Sequence, residues 1–209
     1  MGKVISLSNK FIQMERKSTE IRKEEIKKAV LNIIKDSGIK AVSTKNLSKE
    51  IGLSEGAIFR HFKSKKDIIS SIIDDVSNDL IEKLKSLAGE DMDPETKIYK
   101  YLCTTITYLL DNNGITILLF SEAAYNNDSE MIQKLNYIFN SQKKYFKTII
   151  KEGIQKNIWD KSVSLEDLSI LYMGIPITLN INLILNPSDF NKKDFCLKMK
   201  NLLVKILNK

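Results

Sequence analysis

The reactive-looking side chains of this sequence suit hydrogen bonding to an anion better than bond-breaking. Residues 43–66 read STKNLSKEIGLSEGAIFRHFKSKK and gather hydroxyls, lysines, one arginine and the chain's single histidine, His61. Ser43 can cap a helix whose inner face is Leu47 and Ile51. Gly52 can take the left-handed backbone that stops it sharply. Ser54 caps the next helix, read as about two turns long, with Ile58 and Phe62 on its buried side. Two short helices, a tight turn containing glycine and a basic second helix make a helix-turn-helix, the unit that lays its second helix in the major groove of duplex DNA.

The charge distribution agrees. The chain of 209 residues carries 33 Lys+Arg and 26 Asp+Glu. Residues 1–70 hold 16 of the basic and 8 of the acidic side chains, leaving 17 and 18 for the rest. All the surplus positive charge therefore lies in the N-terminal third, where phosphates would be attracted regardless of base sequence.

The elements that must position this stretch are helices. Hydrophobic residues make up 43% of the chain, enough for a sizeable core, and only 8 Gly and 3 Pro interrupt it. Ile26, Ala29, Val30, Ile33 and Ile34 form one stripe on a helix over 19–37, which Gly38 ends. Val42 reaches into the small core. Ser64 caps a long helix running to about 88, with Asp67 at the capping-box position. Pro94 suits the first turn of a helix over 94–110. Stops at 111–114 and 126–128 bracket a short helix over 115–125. Further helices fall at about 129–157, 165–185 and 189–207, the last after Pro187. The reading is all-α, about nine helices. It divides the chain into an arm over 1–18 (mobile or irregular), a helix-turn-helix domain over 19–66 and a larger domain over 67–209.

Several classes are disfavoured. There are no paired His/Cys/Asp metal ligands, no Gly-rich phosphate loop and no nucleophile motif, so neither an enzyme nor a cofactor or metal is expected. Cys103 and Cys196 read as small hydrophobes, in keeping with a reducing cytoplasm. The opening has no signal-like apolar run, and no stretch approaches a membrane span. The most apolar segment, 170–185, carries Asn180, Asn182 and Pro176 and reads as a buried helix.

With these blocks in place, the sequence resembles tetracycline-repressor-type (TetR/AcrR family) transcriptional regulators. The likeness runs from Ile26 to about Ile69. It takes in Ile26, Ala29-Val30, Ile33-Ile34 and Gly38, then Ser43-Thr44, Leu47 and Ile51-Gly52-Leu53-Ser54, then Ile58-Phe59-Arg60-His61-Phe62-Lys63-Ser64-Lys65. The resemblance implies that Thr44 and Lys45 contact phosphates. Glu55, Gly56, Ala57 and Arg60 would face the major groove, and His61 and Lys65 would hold the flanking backbone. Where many members carry a phosphate-touching tyrosine, this chain has Phe59, which keeps the ring and lacks the hydroxyl. Arg60 can pair with guanine through two hydrogen bonds, worth about 1–3 kcal/mol of discrimination. Glu55 can accept from a cytosine amino group or simply favour a helix N-terminus. His61 can cap the short helix or donate to a phosphate.

The resemblance also implies a homodimer and a small-molecule effector in the rest of the chain. Tyr99, Cys103, Tyr108, Phe120, Tyr125, Tyr137, Phe139 and Met173 are the candidate cavity residues, and they suggest a largely apolar effector. Leu168, Leu171, Tyr172, Ile175, Leu179 and Leu183, with Phe195, Met199, Leu202 and Ile206, are the candidate dimer contacts. A pair of consecutive helices apolar over more than one face needs a second partner surface. The expected function is a ligand-responsive repressor on a near-palindromic operator. The rival is a helical architectural or adaptor protein with non-specific DNA affinity.

Overall fold

The computed structural model describes residues 18–125, 127–186 and 190–208. The side chains of Thr116, Ser121 and Tyr125, and residues 1–17 of the arm expected over 1–18, lie outside the described residues, as does Pro187; Ser18 belongs to the start of α1. Among the described residues there are nine helices and no strand.

The head is built by caps and one glycine. α1 (Thr19–Ser37) starts on Ser18, whose hydroxyl accepts from the Ile21 amide. Its stripe Ile26, Ala29, Val30, Ile33 and Ile34 is buried. A 3₁₀ turn (Ile39–Ala41) leads to α2 (Thr44–Ile51), capped by Ser43 through the Asn46 amide. Gly52 ends α2 at φ 67°, left-handed backbone that a Cβ would strain. Ser54 then caps α3 (Glu55–Phe59) through the Ala57 amide. Val42, Leu47, Ile58 and Phe62 meet the α1 stripe in the head's core. α3 is shorter than the two turns expected, because Arg60 and His61 already form a turn. Phe62 is buried from that turn rather than from the helix.

α4 is the strut between head and body. It runs through Lys65–Asp75, a π-helical segment at Val76–Ile81 and a final stretch Glu82–Gly89. Ser64 caps it, and the Asp67 carboxylate returns to accept from the Lys63 amide at 3.0 Å. Its first half is pinned on two sides. Lys27 of α1 reaches Asp75 at 2.6 Å, and Lys134 reaches Asp74 at 2.7 Å. π-helical turns widen a helix locally and often mark functional positions.

The body comprises α5 (Pro94–Asp111), α6 (Ile115–Tyr125), α7 (Ser129–Gln155), α8 (Leu165–Leu185) and α9 (Lys192–Leu207). α9 starts three residues later than expected. Asp93, Asp128, Ser164 and Asn191 cap α5, α7, α8 and α9. Tyr101, Phe146 and Tyr172 form the aromatic centre, with Phe146 and Tyr172 stacked at 4.3 Å. Gly153 of α7 lies flat beneath the Trp159 ring, where a Cβ would collide with it. Lys97 is buried and pairs with Glu152 at 2.6 Å, also donating to the Ala88 carbonyl. Cys103 and Cys196 are free; Cys196 is buried, which first of all pushes its thiol up to about 12, and Cys103 is half-buried.

α8 departs from the expectation of a buried helix. By length and composition it is apolar enough to cross a membrane, and only a third of its most apolar window is buried. Ile170, Leu171, Ile177, Ile181, Ile184 and Leu185 are exposed, with Ile184 at 68% and Leu185 at 71%. Their spacing places them on one side of the helix. Pro176, in the middle of α8, is buried and removes one backbone donor.

Candidate nucleic-acid interface and effector cavity

The head presents its polar residues on the side away from its core. Lys45, Glu55, Gly56, Phe59 and Arg60 are exposed, while Thr44, Ala57, His61 and Lys65 are half-buried. Phe59 leaves 48% of its surface in water beside Arg60. Gly56 has open space around it, so α3 offers little bulk to whatever approaches.

Three expected contacts look different in three dimensions. Thr44 donates its hydroxyl to Glu55 at 2.6 Å, tying the start of α2 to the start of α3. Glu55 therefore serves as an acceptor within the head, a role the sequence reading had not considered. Lys65 donates to the Ile39 carbonyl at 3.3 Å, bracing the 3₁₀ turn against α4. His61 Nδ1 is buried with no hydrogen-bond partner among the described residues, so that nitrogen caps nothing. Lys45 and Arg60 have no such engagement among the described residues. Sequence spacing could not show these side-chain bonds, because Thr44 and Glu55 sit on different helices.

The body holds a half-open cavity of about 410 Å³ between α4, α5, α6, α7 and α8. Its apolar wall includes Leu80, Leu109, Ile117, Met173 and Pro176, and Phe120 meets Phe139 edge-on at 6.3 Å. Its polar groups are few. Thr105 shares a 2.6 Å hydrogen bond with Tyr172, and burial raises the Tyr108 phenol above its ordinary range. Of the candidate cavity residues, Tyr108, Phe120, Phe139 and Met173 line it. Tyr99 and Cys103 line a different cleft, because they sit on another face of α5. Tyr137 is 53% exposed and lines neither this cavity nor that cleft. The sequence reading missed Leu80 and Pro176. The π-helical segment carrying Leu80 has no signature in residue type.

The candidate dimer contacts also divide. Leu171 and Leu202 are exposed; Ile175, Leu183, Phe195, Met199 and Ile206 are half-buried. Leu168, Tyr172 and Leu179 turn inward and complete the protein's own core, so they cannot face a partner. The oily stripe they were meant to carry lies on Ile170, Ile177, Ile181, Ile184 and Leu185 instead. Ile177 belongs both to that stripe and to the cavity lining, so the cavity reaches the exposed face.

A capped helix-turn-helix on a strut, joined to a helical body with an apolar cavity, is the architecture of a one-component DNA-binding regulator. Residues 26–72 match the family model of bacterial regulatory proteins, tetR family. Residues 26–72 are thus a DNA-binding domain of the tetR-family type, and the whole chain has the all-helical fold seen in regulators of that family. It is 23% identical over 146 residues to the nucleoid occlusion factor SlmA of Haemophilus ducreyi, covering 69% of this chain and 72% of that protein. Its fold superposes on FadR of Bacillus subtilis, a transcriptional regulator solved in complex with stearoyl-CoA, with TM-score 0.72 at 19% identity, over 88% of this chain and 99% of that one. It also superposes on the TetR family regulator PfmR of Thermus thermophilus, with TM-score 0.72 at 16% identity, over 88% and 99%.

Proposed function

We propose that this chain is a repressor that binds a near-palindromic operator as a homodimer and leaves it when a largely apolar small molecule fills the body. On this reading residues 19–66 are the DNA-binding domain, residues 67–209 hold effector and partner, and the protein works in the cytoplasm. Lys45 and Arg60 face the duplex, with Phe59 lying on its backbone. Ser54-capped α3 enters the groove, and two copies place two such helices about 34–36 Å apart.

The observation that carries the reading is the position of the cavity. Its volume falls in the range of small-molecule sites, and its lining is mainly hydrocarbon with two hydroxyls, Thr105 and Tyr108, and two amides, Asn136 and Gln142. Leu80 places it directly against the π-helical part of α4. One turn earlier, Asp75 is locked to Lys27 of the head, and burial raises the Asp75 carboxyl above its usual range even beside that lysine. An occupant that shifts Leu80 shifts the strut, and the strut carries the head. Occupancy then favours a head spacing that no longer fits the groove. The FadR neighbour was solved with an acyl thioester, a ligand with the hydrocarbon character this lining suits. The SlmA relatives are named for nucleoid occlusion; the apolar cavity favours ligand-controlled transcription for this chain.

The test is a thermal-shift screen of fatty acids, acyl thioesters and sterol-like compounds, followed by operator binding with each hit. The expected hit raises the melting temperature and weakens operator binding at least 100-fold, a coupling of about 2.7 kcal/mol. Phe139→Trp, which fills the cavity, should abolish both effects. Hits that bind through the cavity and leave operator affinity untouched would overturn the proposal.

A further inference from the structure

A second cleft, of about 590 Å³, opens on the other side of α4 and α5. Its rim gathers Lys83 of α4, Lys100 of α5, and Lys192 and Lys193 at the start of α9. All four are exposed, and none forms an ion pair among the described residues. Lys97, Lys134, Lys143, Lys147, Lys156 and Lys200 of the body each pair with a carboxylate, whereas Lys144, Lys151, Lys161, Lys198 and Lys205 do not among the described residues; what sets the four apart is that they share one cleft.

Asp111 is the one acid in the lining, and Asp79, whose charge is felt at Tyr108, lies one turn before Lys83 on α4. The nearest acid on α9, Asp194, is occupied in capping with Asn191, at 2.8 and 3.1 Å. Lys192 and Lys193 also occupy the first two positions of a 16-residue helix, where the macrodipole is positive and cations are disfavoured. The cleft thus concentrates like charge in a region of the chain that is close to neutral. Thr104 and Thr107 add half-buried hydroxyls to the lining, and Leu80 and Leu87 supply an apolar floor.

We propose that this cleft binds a small organic polyphosphate, a ligand with at least two phosphoryl groups for the four ammonium groups and a carbon part for the floor. Lysines hold phosphate as mobile point charges, and hydroxyls complete the shell. The site is not part of the DNA surface. Lys83 lies 18 residues beyond Lys65 on α4, roughly 27 Å farther along the strut at the rise of a helix. Leu80 and Tyr108 line both this cleft and the apolar cavity, so the two sites share a wall. An occupant here touches the same π-helical turn from the opposite side.

The test uses the full-length protein and two probes, inorganic pyrophosphate and adenosine 5′-diphosphate, in titration calorimetry at low and moderate salt. One site per chain is expected, weakening as salt rises. Lys100→Gln with Lys193→Gln should raise Kd at least tenfold. Lys45→Gln with Lys49→Gln, in the head, should change it less than twofold. Circular dichroism checks folding, and Lys83→Gln with Lys192→Gln is the independent second pair. A further readout needs no ligand: because the charges repel one another, Lys193→Gln should raise the melting temperature of the unliganded protein. Absence of binding, equal loss in the head variants, or binding that survives both cleft pairs would overturn the proposal. None of these measurements depends on the operator or the apolar effector.

Discussion

The head and the body solve opposite problems with the same element. The head has a small core and a polar, cationic outside; its short helices hold because each is capped and because Gly52 fixes the turn between them. The body has a deep aromatic core and still leaves a row of isoleucines and leucines in water along α8. The contrast teaches what each part is for. A surface of lysine and arginine on stiff, short helices suits a polyanion. A surface of Ile170, Ile177, Ile181, Ile184 and Leu185 suits a second copy of itself, and it costs free energy until it is covered.

The largest test of this contrast is to put a charge on the oily row. Ile181→Asp should convert the dimer to a monomer, read by sedimentation, and reduce operator binding by more than 100-fold, because each half-site then binds alone. Tyr172→Phe on the same helix should leave the dimer intact, since that ring lies in the protein's own core. Next in size is the ion pair whose lysine is nearly out of water. Lys97→Met leaves Glu152 with only its exposed partner Lys156 and should lower stability by about 1–3 kcal/mol in denaturant unfolding. Lys156 and then Lys97 hold the Glu152 carboxyl below its usual range. Its folded pKa lies below the unfolded one, so its contribution is present at neutral pH and fades as pH falls through the carboxylate range. In the Lys97→Met variant that acid-side loss should shrink.

Arg60→Ala comes third, with a loss of about 1–3 kcal/mol for the preferred sequence and less for random DNA, measured by competition binding. A uniform loss across all sequences would reassign Arg60 to a phosphate. The smallest expected effect is Ser54→Ala, which removes the α3 cap and should lower stability by about 1 kcal/mol.

The head was legible in the sequence because its determinants are local. Ser43, Gly52, Ser54 and Ser64 each act within a few residues, and the stripe of α1 repeats with the helix period. The body was legible only to the level of helices. α8 is apolar on every side, so periodicity could not separate Leu171, which is exposed, from its neighbour Tyr172, which is buried. That choice is made by Thr105, Tyr101 and Phe146, residues more than twenty positions away. The cavity failed in part for the same reason: Tyr99 and Tyr108 share α5, and both line the lysine cleft while only Tyr108 also borders the apolar space. The Thr44–Glu55 bond was invisible because it joins two helices through a turn whose geometry the sequence only outlines.

The most direct test of the central claim, that two copies of this head read one stretch of duplex, is selection of bound DNA from a random pool by the full-length protein. The account predicts an enriched, nearly palindromic motif whose half-sites are centred about one helical turn apart. Enrichment of no motif, or of a single unrepeated half-site bound by a monomer, would contradict it.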